Sequence, residues 1–86
     1  SYQRVEPNGR SAFAHRHSDH EELYVILSGS GRVKLDDEIR EVGPFDVIRV
    51  APPVVRQFEA GPDGLELLAI GDKGIDKAEI VQDFWP

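Results

Sequence analysis

Hydrophobic residues occur along the chain in short runs, and glycine or proline separates most of these runs. This spacing is typical of an all-β sandwich or barrel. Residues 72–86 break the rhythm, and their apolar residues fit either a short helix or an extended segment on the outside. The pattern predicts eight strands, at Tyr2–Glu6, Ser11–His17, Glu22–Leu27, Arg32–Leu35, Ile39–Val42, Asp46–Ala51, Val54–Ala60 and Leu65–Ile70.

Three polar or glycine-rich segments between these strands predict chain reversals. Ser28–Gly31 closes the strand that is richest in β-forming residues, and Gly61–Gly64 is a turn. Asp36–Glu38 is the polar tip of a hairpin. Strand alternation puts Phe13, Tyr24, Ile26, Val33, Leu35, Phe58 and Leu67 in the core or in the lining of a barrel.

Composition limits the size of the fold and its partners. A chain of 86 residues forms one domain, and 40% hydrophobic with 30% charged residues is a balance typical of folded proteins. The net charge of −6 argues against a domain-wide basic surface for nucleic acid or an anionic membrane, so we expect neither partner. The sequence contains no cysteine, which excludes disulfides, thiolate metal sites and cysteine nucleophiles, and we expect a cytoplasmic location.

One segment carries the residues of a metal site. His15 and His17 are two residues apart on a predicted strand, so both side chains project to one side. After a loop of four residues, Glu22 begins the next strand. Two neutral imidazoles and a carboxylate that converge from rigid strands suit a divalent first-row metal, for which we consider zinc, nickel, manganese or iron. His20 lies in the connecting loop, where we expect it to be exposed.

The spacing of Gly9, His15, His17, Glu22 and Gly29 resembles the first motif of the cupins. The resemblance implies a single jelly-roll β-barrel, or double-sheet sandwich, over residues 1–71. Residues 72–86 are then a C-terminal tail packed on or beside the barrel. Cupins are commonly dimers, so the resemblance also implies a homodimer.

The second cupin motif is imperfect in this chain. The motif corresponds to Gly43–Phe58 of this chain. Family members with a full metal site place a third histidine at the position of Arg56, and they have a turn glycine at the position of Pro53. Arginine is permanently cationic and offers no lone pair to a metal. Two alternatives follow: an inward Arg56 replaces the metal by pairing with Glu22, or an outward Arg56 leaves a three-ligand site.

The resemblance implies a small-molecule-binding cupin with a divalent metal on His15, His17 and Glu22. The ligand would be held by Arg56, Tyr24 and Phe58. In the alternative, the protein is a metal-free binding or sensing module, or a structural dimerisation unit. The fold does not choose between catalysis and binding.

Overall fold

The computed structural model describes residues 1–71 and 78–86, which form seven strands, all paired antiparallel, and no helix. None of these residues belongs to a helix of the length and apolarity that a bilayer crossing requires. The strands are β1 (Tyr2–Val5), β2 (Ala14–Arg16), β3 (Glu22–Leu35), β4 (Glu38–Val42), β5 (Val47–Val50), β6 (Arg56–Ile70) and β7 (Glu79–Val81).

Two long strands, β3 and β6, each take part in both sheets of the sandwich. The first half of β3 pairs with β5 and with the second half of β6, which also pairs with β1. The second half of β3 pairs with β4 and with the first half of β6, whose other edge contacts β2. Strand β2 then pairs with β7. The predicted all-β, double-sheet jelly-roll architecture is therefore confirmed.

The predicted breaks at Ser28–Gly31 and Gly61–Gly64 are wrong, because both strands continue through them. The glycines there bend the strands instead of ending them. Gly29 and Gly64 have φ angles of 83° and 80°, which side chains other than glycine rarely adopt. A Cβ on Gly29 would also lie only 2.1 Å from the carbonyl oxygen of Gly64, so the two bends pack backbone against backbone.

The core lies between the two sheets, with charged side chains buried at one end of it. Glu22 and Arg56 are 2% and 1% exposed, although isolated buried charges are costly. Of the predicted core residues, Phe13 is half exposed and Leu35 is partly buried. The buried apolar residues that pack together are Val5, Tyr24, Ile26, Val33, Val42, Val50, Phe58, Ala60, Leu65, Leu67 and Ala69.

The second predicted strand is shorter than expected, and the tail adds a strand beside it. Only Ala14–Arg16 is extended, so Phe13 and His17 lie just outside β2. In the tail, β7 lies beside β2, and His15 is opposite Ile80. Of the two conformations considered for the tail, the extended one is found in its described part. Residues 72–77 lie outside the described residues.

Candidate functional site

Three strands bring the candidate residues together at the buried charged end of the sandwich. Glu22 and Tyr24 are two residues apart at the start of β3, so both side chains enter the interior. Arg56 and Phe58 have the same spacing at the start of β6. His15 lies on β2 directly opposite Arg56. Alternation along β3 and β6 therefore delivers a carboxylate, a phenol, a guanidinium and a phenyl ring to one cavity.

The carboxylate oxygen Oε1 of Glu22 is the centre of the cluster. Tyr24 donates its hydroxyl hydrogen to this atom over 2.6 Å, and Arg56 Nη1 donates to it over 2.7 Å. The Nε2 atoms of His17 and His15 lie 3.1 and 3.7 Å from the same oxygen. Four side chains thus approach one oxygen atom, which is how a buried carboxylate stays ionised.

These neighbours determine the protonation states in the cluster. Burial by itself raises the pKa of Glu22, but His15, Tyr24, His17 and Arg56 outweigh burial and lower this pKa to about 2. Burial and the bond to Glu22 raise the pKa of Tyr24, which keeps its hydroxyl protonated as a donor. Burial also lowers the pKa of His17, so its imidazole is neutral at pH 7. At pH 7 Glu22 is therefore ionised, and it faces the permanently charged guanidinium of Arg56.

The ring of His15 is oriented by a backbone contact. Its Nδ1 lies 3.2 Å from the carbonyl oxygen of Phe13, which only accepts hydrogen bonds. Nδ1 therefore donates to this carbonyl, which fixes the plane of the ring and directs Nε2 toward Glu22. Metal-binding histidines are commonly oriented in this way, with one ring nitrogen on a carbonyl and the other free for the metal.

His17 is the least satisfied polar side chain of the site. It is 2% exposed, and neither of its ring nitrogens has a hydrogen-bond partner among the described residues. Buried polar atoms without a partner are rare and call for an explanation such as a bound ion or water. In a neutral ring one of these nitrogens carries a lone pair, so His17 offers the site an uncommitted donor atom.

The expectation that His20 is exposed is wrong. Its side chain is only 9% exposed, and its ring packs on the ring of His17 with 4.2 Å between centroids. Asp19 lies 2.9 Å from His20 Nδ1, while His20 Nε2 is buried and has no hydrogen-bond partner in the described part of the chain. The loop folds back over His17, which strand alternation does not indicate.

Arg56 points into the interior, which decides between the two orientations considered from the sequence. Each of its three nitrogens donates to a fixed acceptor: Nη1 to Glu22, Nε to the Val54 carbonyl oxygen over 2.9 Å, and Nη2 to the Ala51 carbonyl oxygen over 3.0 Å. The two carbonyls flank Pro52-Pro53. One hydrogen bond, from Nη1, joins Arg56 to Glu22, so the two side chains do not form a two-bond, forked pair.

A cavity of about 200 Å³ opens beside this cluster. His15, His17, Glu22, Tyr24, Arg56 and Phe58 line it, and so does Phe13, which was expected in the core or the barrel lining. Four further lining residues were not assigned to the site from the sequence: Gln3, Ser11, Ala12 and Gln57. Ser11–Phe13 line it because β2 begins later than predicted. No motif in the sequence points to Gln3 or Gln57.

The donor set fits a divalent metal. One ligand atom each from His15, His17 and Glu22 lies within 4.8 Å of the others. Two neutral imidazoles and an ionised carboxylate are ligands that zinc, iron, nickel and manganese accept. The guanidinium of Arg56 opposes a metal, because it holds the same oxygen of Glu22 and carries a like charge.

Comparisons with known proteins agree with this architecture. The Cupin_2 family model, which describes the cupin domain, matches residues 1–71. The chain belongs to the cupin family. An uncharacterized protein of Methanocaldococcus jannaschii is 36% identical over 55 residues, which are 64% of this chain and 44% of that protein. The cupin chain described here thus spans less than half the length of this curated relative.

Solved cupin structures show the same fold. A cupin protein from Bacteroides fragilis has 31% identity and a TM-score of 0.75, and the match covers 86% of this chain and 68% of that one. A cupin-2 domain from Rhodospirillum rubrum has 26% identity and a TM-score of 0.82, covering 95% and 55%. A predicted oxalate decarboxylase from Thermotoga maritima has 25% identity and a TM-score of 0.73, covering 79% and 59%.

Proposed function

We propose that this cupin binds a small oxygen-bearing molecule in its barrel, at a divalent metal ion held by His15, His17 and Glu22. The observation that carries the proposal is the arrangement of the two imidazoles. The Nε2 atoms of His17 and His15 lie 3.1 and 3.7 Å from Glu22 Oε1, and neither ring nitrogen of His17 has a hydrogen-bond partner among the described residues. A cation between these atoms would give His17 a partner and would be bound by the carboxylate of Glu22.

The other cavity residues have separate tasks in this proposal. A bound metal would supply a Lewis acid that polarises an oxygen atom of the ligand. Arg56 provides a fixed positive charge that attracts an anionic oxygen, and Phe58 supplies an apolar wall against which Tyr24 packs, with 5.0 Å between ring centroids. Tyr24 donates its hydroxyl hydrogen bond to Glu22 and so holds the carboxylate in place. The volume of about 200 Å³ favours a small ligand.

A small carboxylate is the ligand class that this charge distribution favours. Glu22 and Arg56 cancel one another's charge, so a bound divalent metal would leave the cavity with a net positive charge. The predicted oxalate decarboxylase of Thermotoga maritima would act on a molecule of that class, and it shares this fold. Its similarity supports the choice of a carboxylate, and no reaction is carried over from it.

Calorimetric titration with ZnCl₂ and NiCl₂ tests the metal site, and two adjacent glutamates provide a matched pair. Glu22→Gln removes the charge of the buried ligand, whereas Glu21→Gln removes an exposed carboxylate that pairs with Arg49. We expect the first change to lower the affinity by more than the roughly tenfold that losing an outer-shell partner costs. The second should leave it unchanged. Equal affinities for both variants and the wild type would contradict the proposal.

A second candidate is a metal-free binding module, and the bond from Arg56 Nη1 to Glu22 Oε1 favours it. In that case the guanidinium takes the place of the metal, and Arg56 binds an anionic ligand directly. The histidines then supply hydrogen bonds. The same titration separates the candidates, because this module binds neither zinc nor nickel in the wild-type protein.

A further inference from the structure

The strand that carries His15 lies between β6 and β7 in the sheet. Within the described residues, β2 forms one residue pair with β6, between His15 and Arg56. It forms three pairs with β7, and the exposed ion pair of Arg16 with Glu79 also joins these strands over 2.6 Å. Most of the pairing that holds β2 in register therefore comes from the C-terminal segment (residues 79–86).

Trp85 fastens this segment to the face of the sheet formed by β3 and β6. Its Nε1 donates to Gln57 Oε1 over 2.7 Å. The guanidinium carbons of Arg10 and Arg32 lie 4.9 and 5.3 Å from the indole ring centre, at distances typical of cation–π contacts. Glu59 bonds to both arginines and so keeps the two cations in place. Trp85 is partly buried by these contacts.

Gln57 connects Trp85 to the cavity. Its Nε2 donates to the carbonyl oxygen of Ser11 over 2.7 Å, while its Oε1 accepts from Trp85. Gln57 and Ser11 both line the cavity beside His15. Through Gln57, Trp85 therefore holds in place the segment that leads into β2, while β7 pairs with β2 itself.

We infer that the C-terminal segment completes the binding site and that Trp85 is a positioning residue for His15. The segment lies outside residues 1–71, the part of the chain that the cupin model matches. The role assigned to His15 rests on the function proposed above. The mechanical part, in which Trp85 keeps β2 in place, does not depend on a metal.

Amide hydrogen exchange tests the mechanical part without any metal. In Trp85→Ala we expect exchange at residues 14–16 to accelerate by at least about tenfold, while the centres of β3 and β6 keep their protection. Phe45→Ala is the matched control, because Phe45 is an aromatic residue that is 84% exposed, and it should leave β2 unchanged. Unchanged exchange in β2, or equal acceleration throughout the chain, would overturn the inference.

Zinc titration tests the positioning of His15, at a temperature where both variants are fully folded. Trp85→Ala should lower the zinc affinity about tenfold, which is the smallest loss expected when a residue that supports a metal ligand is removed. Trp85→Phe keeps a ring beside both arginines and should recover part of the loss. Wild-type affinity in Trp85→Ala contradicts the positioning role. If wild-type protein binds no zinc while β2 still depends on Trp85, the proposed function fails and the mechanical part stands.

Discussion

Glu22 Oε1 is the atom on which both candidate functions depend. As the acceptor of Arg56 and Tyr24 it already has two strong donors, and a metal would compete with Arg56 for it. Removing one partner of a buried ion pair is strongly destabilising, which explains why neither residue stands alone here.

The sequence predicted which residues meet, because spacing and strand alternation fix them. It left the direction of Arg56 open, since that depends on the Ala51 and Val54 carbonyls.

Replacing Arg56 with histidine tests this competition. Arg56→His removes a fixed positive charge from the cavity and adds a neutral nitrogen donor, so we expect zinc affinity to rise by at least about tenfold. Arg49→His is the matched control, because the side chain of Arg49 is 72% exposed and pairs with Glu21. Calorimetric titration measures both. No gain for Arg56→His, or an equal gain for the control, would show that Arg56 does not limit metal binding.

The stability of the fold should depend on pH through Glu22. Its pKa is about 2 in the folded protein against an ordinary 4.5, so the unfolded chain takes up the proton first. The stabilisation is therefore fully present above about pH 4.5 and is lost as pH falls toward 2. It amounts to about 3 kcal/mol. His17, whose pKa is also lowered, adds a loss that begins as pH falls below 6.5.

Urea unfolding between about pH 7 and pH 2.5 measures this dependence. Glu22→Gln should flatten the decline below about pH 4.5, and Glu66→Gln, at a surface carboxylate, should flatten it far less. A wild-type curve that is level across this range would contradict the ionisation state assigned to Glu22.

At the level of elements, the sequence predicted most strand positions and misjudged two of the breaks. Glycine-rich segments end strands in many proteins, so Ser28–Gly31 and Gly61–Gly64 were natural places to stop. In this fold the same residues let one strand continue from one sheet into the other. Whether such a segment ends a strand or bends it depends on the strand with which it pairs. The tail was undecided for a similar reason, because β7 is specified by its pairing with β2.

The close packing of the two bends makes Gly29 sensitive to substitution. Gly29→Ala combines an unfavourable φ of 83° with a Cβ only 2.1 Å from Gly64 O, so we expect about 2–4 kcal/mol of lost stability. Gly43→Ala is the control, because a Cβ there meets nothing within 4 Å, and it should change stability by about 0.5 kcal/mol or less. Urea unfolding compares them. Equal stabilities would show that the bends tolerate a side chain.

For the whole molecule, sequence and comparison agree on the family, while the assembly stays a prediction. The cupin family, which the spacing of Gly9, His15, His17, Glu22 and Gly29 indicates, is the family whose model matches residues 1–71. The homodimer stays a prediction, because an interface depends on which exposed apolar residues meet a partner. Size-exclusion chromatography with light scattering tests this prediction, and a homodimer will have twice the mass of one chain.

The metal content of untagged protein is the most direct test of the proposed site. After soaking with zinc or nickel and dialysis against metal-free buffer, elemental analysis should find about one divalent ion per chain, and His17→Gln should retain far less. Protein that holds no metal before or after soaking would contradict the metal site and leave Arg56 as the cation that Glu22 binds.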